Sequence, residues 1–373
     1  EVQALPPKYY LLIQKIFKVF GERFHTYFLM MTATQPPIFP NEHSIEIIPK
    51  SNSFQLPVFN RVRLKIERSD KSTNEFTEML LDSVRSKSVL IVMNTRRSAL
   101  ELYNRLKSES KLADYYTILL STNLTPRDRK RKIELIQSLL HHQKEKVLVV
   151  STQLIEAGVD LSFQQVWRDW APLDSIIQVA GRCNRHGEFG ELGGDLTVVR
   201  LCDEQGHRFF NTIYPAILNQ YLEETIQKDE YCSNDLANLS GEYYSKFDFI
   251  KSSQALLNAL MDLNFSDGKD SVKTFRLIQD YKQATVYVLE DMESERKFHR
   301  WLELKEQLPQ KKDNDERDEL LLEIEKLRLS LQDLQLTLYQ NDTAPYQDSP
   351  FLMLDDNVNV GYIPFKTIHE IYN

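Results

Sequence analysis

KVLVVSTQLIEAGVDLS, residues 146–162, decides how this chain folds. Val147, Leu148, Val149 and Val150 are apolar without alternation. A short continuous apolar run reads as a strand covered on both faces, which is the habit of a parallel sheet. Ser151, Thr152 and Gln153 follow at once. Polar residues at the carboxyl end of a parallel strand stand where such sheets bind ligands. Gly158 then offers a turn and Asp160 a carboxylate.

Outward from this stretch the same signal repeats. SVLIVMN (88–94) is followed by the helical RRSALELYNRLK, YYTILLS by the helical RDRKRKIELIQSLLHH, and QQVWRDW and DLTVVRL continue the series. FLMMT (28–32) is a further short apolar run. Apolar strands between amphipathic helices predict a doubly wound α/β lobe with a parallel sheet over roughly residues 55–205. Past 205, FFNTIYPAILNQYLEETIQK reads as amphipathic helix and FRLIQDYKQATVYVLED as a hairpin or strand pair. QKKDNDERDE is a charged break. Leu320, Ile324, Leu327, Leu331, Leu334 and Leu338 then recur at spacings of 4 and 3, which predicts one long helix laid on its own chain. DNVNVGYIPF reads as a closing turn and strand.

The chain has 373 residues, 27% of them charged and 42% hydrophobic, with net charge −8. Coating nucleic acid by bulk charge is excluded, and only a local basic channel remains open to it. Cys183, Cys202 and Cys232 form no C-x-x-C pair, so neither a zinc site nor a disulfide framework is expected. A reducing cytosol fits that usage, and no apolar run reaches membrane-spanning length.

QVAGRCNRHGE (178–188) places Arg182 and Arg185 three apart, behind Gln178 and Gly181. On a helix that spacing puts both cations on one side. A fork of N–H donors suits the charge spread over a transferring phosphoryl group. Two arginines bridging to surface carboxylates fit the same spacing. The strand ends add Asn94 and Thr95, Ser121 and Thr122, and Ser151 and Thr152, a row of neutral donors suited to phosphate oxygens and sugars. Thr32, Ala33 and Thr34 end the FLMMT run. Cys183 reads as a small core residue and His186 as a residue that shapes the motif. Trp167 and Trp170 read as core packing, with base stacking as the alternative.

Taken together, these strings resemble the second RecA-like lobe of a superfamily-two helicase. TAT resembles motif III, VMNT motif IV, STQLIEAGVDLS motif V and QVAGRCNR motif VI. EVQALPP, MTATQP, LLSTNLTPRDR, QVAGRCNRHGE and the FRLI region are similar to the CRISPR-associated helicase-nuclease that degrades DNA for the type I surveillance complex. The resemblance implies a RecA-like doubly wound lobe, a mostly helical linker and a small C-terminal domain. It places the end of a first RecA-like lobe at 1–50, the second lobe at 51–205, a helical linker or accessory region at 206–340 and a tail at 341–373.

It also implies residue roles. Glu1 matches the acidic second position of the Walker B box, which orients the attacking water. Gln178, Arg182 and Arg185 take the triphosphate of ATP. Gly158, Asp160 and Gly181 lie at the nucleotide, Thr32, Ala33 and Thr34 link the lobes, and Asn94, Thr95, Ser121, Thr122, Ser151 and Thr152 track single-stranded DNA. ATP and Mg²⁺ are the implied cofactors, with no metal ligand in this chain. The implied partners are the first lobe, an HD-type nuclease domain and the surveillance complex, with no membrane. No G-x-x-x-x-G-K-[ST] and no His-Asp pair occur, and the chain opens without Met. It is therefore expected to be the C-terminal half of the enzyme, inactive alone. A general superfamily-two helicase of another pathway, or a non-catalytic subunit completing an ATPase on a separate chain, remain open.

Overall fold

The computed structural model describes residues 5–32, 34, 36, 38–39, 45, 47, 60–142, 145–247, 249–266, 268, 271–276, 283–311, 313–339 and 360–363. Glu1 and Ala33 lie outside them. The chain divides into two compact units: Glu1–Leu120 with Leu135–Gln279, and Ser121–Glu134 with Asp280–Asn373.

The first unit is built on a seven-stranded sheet of β1 (Val62–Ser72), β2 (Ser88–Val92), β3 (Tyr115–Leu120), β4 (Lys146–Ser151), β5 (Gln165–Asp169), β6 (Gly194–Cys202) and β7 (Glu230–Cys232). The order is β3-β4-β2-β5-β6-β1-β7, and all pairs are parallel except β1 with β7. The expected doubly wound parallel lobe is there. All five residues of β2 are buried, as are the last five of β4, because helices cover the sheet and no water reaches either face. Helix α1 (Tyr10–Phe24) precedes the sheet, and α2 (Thr73–Ser83) and α3 (Arg96–Ser108) carry the crossovers around β2. Phe76 and Leu80 from α2, and Ala99, Leu102 and Leu106 from α3, join Val89, Ile91, Leu148, Val150 and Trp167 in one core. A Ser72–Glu75 capping box starts α2, and the Thr95 hydroxyl caps α3.

Helix α4 (Pro126–His142) links β3 to β4, and α5 (Leu173–Ala180) follows β5. The segment expected as one helix after residue 205 is split into α6 (Phe210–Ile213) and α7 (Ala216–Thr225). Pro215 stands between them, lacking the N–H that a helix interior needs. Helices α8 (Asp235–Ser245) and α9 (Phe249–Met261) complete the unit. The first unit runs on past residue 205 to Gln279. Two expectations are corrected and one feature is new. FLMMT is not a strand, and Leu29 and Met31 are exposed. The edge pair β1 and β7 was not foreseen. The leucine seam leaves its helix early.

That seam lies in the second unit, whose helices are α10 (Met292–Gln307) and α11 (Asn314–Ser330) and whose sheet runs β10 (Val360–Ile363), β8 (Gln283–Val288), β9 (Gln335–Tyr339). Leu331 and Leu334 are buried just past α11, and Leu338 belongs to β9. From Gln335 the pattern LQLTLY alternates with period two, so the chain becomes a strand although the 4-and-3 spacing continues. β8 pairs with β9 and β10 rather than in a local hairpin. Tyr287, Leu289, Phe298 and Trp301 pack with Leu331 and Leu334. Arg127 grips Asp333 with two hydrogen bonds of 2.9 and 3.2 Å.

Candidate nucleotide and nucleic-acid site

Because β2 and β4 run parallel and adjacent, their carboxyl ends come out side by side. Val92 pairs with Ser151, and the Met93 N–H donates to the Ser151 carbonyl at 2.8 Å. Two of the expected strand ends, Asn94–Thr95 and Ser151–Thr152, are thus brought together. Ser121 and Thr122 follow β3 in the chain and fall in the second unit, Ser121 buried and Thr122 exposed.

The direction of these side chains corrects part of the sequence reading. Asn94 is buried, its Nδ2 donating to the Trp170 carbonyl at 2.7 Å and its Oδ1 accepting from Arg168 at 2.8 Å. The Ser151 hydroxyl is buried and donates to the carbonyls of Leu120 and Thr152. Both side chains serve the scaffold, because a residue closing a fully buried strand must satisfy its own polar groups. Thr95 is half-buried and spends its hydroxyl on the α3 cap, 3.0 Å from the Ser98 N–H. Thr152 is buried.

The two arginines do not share a helix face. Helix α5 ends at Ala180 with Gly181 as its C-cap, so Arg182 and Arg185 lie in the turns beyond it. Gln178 is half-buried on the last turn of α5. A Cβ on Gly181 would meet the Gln178 carbonyl at 3.2 Å. Arg182 is 6% exposed and turned inward, its Nε donating to the Ile155 carbonyl at 2.8 Å and its Nη2 to the Glu156 carbonyl at 2.7 Å. Arg185 is turned outward, with its side chain 39% exposed. Its Nε meets Asp160 Oδ1 at 2.7 Å and its Nη1 the Gly181 carbonyl at 3.1 Å. His186 Nε2 lies 3.6 Å from the same carboxylate.

Both arginines therefore grip the loop that follows β4, one by its backbone and one by Asp160. The Phe163 N–H donates to the Arg182 carbonyl at 2.9 Å, and the Arg185 N–H to Ser162 Oγ at 3.0 Å. Gly158 turns the loop at φ +73°, a backbone that side chains rarely adopt. Beside this zipped pair of segments lies a cleft of about 510 Å³ lined by Arg61, Asp160, Gly181, Arg185 and His186, with Ser233, Leu236 and Ser240.

Several residues that build the site were not singled out in the sequence. Asn184 is fully buried at φ +47°, donating to the Arg61 and Gly190 carbonyls and accepting from the Phe189 N–H. Its signal was an Asn in a Gly-rich stretch, the side chain best able to adopt the left-handed region. Arg61 donates to the Arg185 carbonyl. Arg168 is fully buried on β5 and paired with Glu156 at 3.1 Å. Burial lifts the Glu156 carboxyl, against the pull of Arg168 and the Ser175 hydroxyl. The neighbouring Asp169 is pushed up to about 7 by burial. The sign of this network in the sequence was a charge between two tryptophans. Trp167 and Trp170 are themselves buried, which leaves no ring face for a base. Cys183 is buried too, and burial pushes its thiol up, away from thiolate chemistry.

Of the interlobe candidates, Thr32 and Thr34 lie among the described residues. Thr34 is buried and its hydroxyl lies 3.4 Å from Tyr244 on α8, while Thr32 bonds to the Thr34 backbone.

Residues 85–188 match the family model described as CRISPR-associated nuclease/helicase Cas3, C-terminal. The chain is 43% identical over 116 residues to the CRISPR-associated nuclease/helicase Cas3 of Haloferax volcanii, covering 31% of this chain and 12% of that protein. It is 32% identical over 197 residues to the Cas3 of Methanothermobacter thermautotrophicus, covering 47% of this chain and 22% of that one. Among solved structures, T. fusca Cas3-ADP superposes with a TM-score of 0.53 at 14% identity, over 82% of this chain and 40% of that one. The chain thus spans under a quarter of the length of these two curated relatives. Its sheet has the fold of the RecA-like lobe in those structures, and residues 85–188 are similar to a C-terminal part of the Cas3 nuclease/helicase.

Proposed function

We propose that this chain, corresponding to a C-terminal part of Cas3, supplies the second motor lobe of an ATP-dependent single-stranded-DNA translocase in type I CRISPR interference. The observation that carries the reading is the zipped pair of segments beside the cleft, where the Arg185 side chain is exposed and, among the described residues, held by Asp160 and a carbonyl. A surface ion pair of this kind contributes about 0–1 kcal/mol, so a triphosphate can displace Asp160 from the guanidinium at small cost. Arg185 is then the direct phosphate ligand, with Gln178, Gly158, Gly181 and Asp160 around it. Arg182 fits a different role. Its donors are committed to the Ile155 and Glu156 carbonyls, so it holds the loop at which Arg185 works.

The bound group is ATP with Mg²⁺, and the metal and the attacking water belong to the first lobe, with Glu1 as the water-orienting acid. The backbone N–H groups at the ends of β2 and β4 meet the DNA backbone, while Asn94, Thr95, Ser151 and Thr152 shape those ends. Thr32, Ala33 and Thr34 lie at the junction with the first lobe. The displaced strand passes to an HD-type nuclease, and the surveillance complex delivers the substrate in the cytoplasm.

The test is phosphate release by the full-length enzyme with and without single-stranded DNA. DNA-stimulated, magnesium-dependent turnover that is abolished by Arg185→Lys supports the reading. A full-length protein that turns over ATP equally without DNA points instead to another ATPase role.

A further inference from the structure

We propose that Arg168, with Glu156, is a positioning residue that locks the nucleotide-side loop to the end of β2, so that DNA at the strand ends is felt by the arginines. The inference rests on the function just proposed and adds to it the part that joins the two halves of the site.

Arg168 stands on β5, next to β2 in the sheet, and has no exposed surface. A buried guanidinium is costly unless its donors are met, and here both ends of the fork are met while Nε has no partner among the described residues. One end of the fork, Nη1, donates to Asn94 Oδ1 at 2.8 Å and to the Val92 carbonyl at 3.3 Å. The other end, Nη2, donates to Glu156 Oε1 at 3.1 Å and to Ser175 Oγ at 2.8 Å. Ser175 in turn donates to Glu156 Oε1 at 2.7 Å, which ties in α5. Gln153 closes the ring from the loop side, its Nε2 donating to the Asn94 carbonyl at 2.8 Å.

The Glu156 residue has two ends in this arrangement. Its carboxylate belongs to Arg168, and its carbonyl accepts from Arg182 Nη2 at 2.7 Å. A continuous chain of hydrogen bonds therefore runs from Arg182 through Glu156 and Arg168 to Asn94, whose neighbour Thr95 begins the α3 cap. Stability alone is a weak reason for such a pair, because well-packed apolar residues often replace a buried ion pair without loss. What an apolar residue lacks is the ability to fix two backbone segments at once. Lysine lacks it too, since a point charge can serve Glu156 or Asn94 but has no planar fork for both.

The experiment uses the full-length enzyme with Arg168→Lys, Glu156→Gln and the double variant Arg168→Met/Glu156→Gln. ATP turnover is measured without DNA and at saturating single-stranded DNA, together with KM for ATP and the thermal midpoint. Turnover without DNA is expected to stay within about twofold while the stimulation factor falls about tenfold, a typical size for coupling between two sites. The loss is expected in kcat under DNA, with KM for ATP little changed. Glu156→Gln keeps the shape and hydrogen-bonding reach of the side chain, so it decides the matter if Arg168→Lys does not fold. Folded variants that keep the wild-type stimulation factor overturn the proposal. So does a set in which every variant loses its folded state, since the pair is then a stability element. If the wild-type enzyme itself shows no stimulation by DNA, the proposed function fails first, and this inference falls with it.

Discussion

Arg182 and Arg185 differ by three positions in sequence and by opposite orientations in space, and that difference sets what each substitution does. Arg185 is exposed and bound to a surface carboxylate, so Arg185→Lys in the full-length enzyme is expected to leave the thermal midpoint nearly unchanged while DNA-stimulated turnover falls roughly 10³- to 10⁵-fold. Arg182→Lys is expected to lower both, because two carbonyls lose their donors at a cost of about 1–3 kcal/mol. Equal midpoints for the two variants would remove the distinction. The sequence located both arginines, Asp160 and the strand-end polar residues. It did not carry their direction, since whether Asn94 faces solvent or Arg168 depends on a strand 74 residues away. Asp169 offers a separate check. Burial raises its carboxyl from 3.8 to about 7, and Oδ2 has no hydrogen-bond partner among the described residues. Between those values the folded state keeps a proton that the unfolded chain has released. Stability from this group is therefore full below about pH 4 and is lost as pH rises through about 7. Asp169→Asn is expected to flatten the denaturation midpoint across that window. A wild-type midpoint that climbs from pH 5 to pH 8, and climbs as much in the variant, would show the group to be silent.

Helices and strands were legible where one periodicity ruled. The runs at β2, β4 and β5 are continuous apolar segments between amphipathic helices, so strand type and parallel pairing followed. β1 was missed because only Val62, Leu64 and Ile66 alternate before a charged, bulged stretch. The end of α5 was missed because Gly181, which caps it, reads in the sequence as part of the nucleotide motif rather than as a helix stop. The seam at Leu331 and Leu334 obeys helix spacing and strand alternation in succession, and the second wins from Gln335 onward. Glycine substitutions test how tightly the site's turns are held. A Cβ on Gly194 would lie 2.7 Å from Cys183 Sγ and 2.8 Å from Asn184 Cβ, directly under the arginine turn. Gly194→Ala is expected to cost about 1–3 kcal/mol by overpacking and to reduce DNA-stimulated turnover. Gly158→Ala has open space and pays only for its positive φ, about 1–2 kcal/mol. A calorimetric midpoint for Gly194→Ala at or above that of wild type would mean that the turn yields freely.

At the scale of the whole chain, the proposal that it supplies half of a DNA groove has to be reconciled with a net charge of −8. Bulk attraction is against binding, so any affinity for single-stranded DNA must come from a few local contacts. The strand ends provide hydroxyls and backbone N–H groups rather than a field of lysines, and the buried tryptophans offer no stacking platform. Three properties follow for the chain by itself: weak binding, little dependence on base sequence, and a shallow dependence on salt. Each phosphate neutralised by a cation on a single strand contributes about −0.7 to the slope of log affinity against log salt, and neutral donors neutralise none, so the slope is expected to stay shallower than about −2. ATP turnover by the chain alone is expected to be absent, since no phosphate-cradling G-x-x-x-x-G-K-[ST] loop is present. The measurement is a fluorescence-anisotropy titration of homopolymeric oligonucleotides at several salt concentrations, with phosphate release followed in parallel. A steep slope would point to a local basic channel as the DNA path. A strong preference for one base would require readout of base edges, which neutral donors lined up along strand ends are poorly placed to give. Either result would move the DNA path away from the ends of β2 and β4. Sustained turnover would place a complete phosphate site within these residues and overturn the assignment of ATP to a shared cleft.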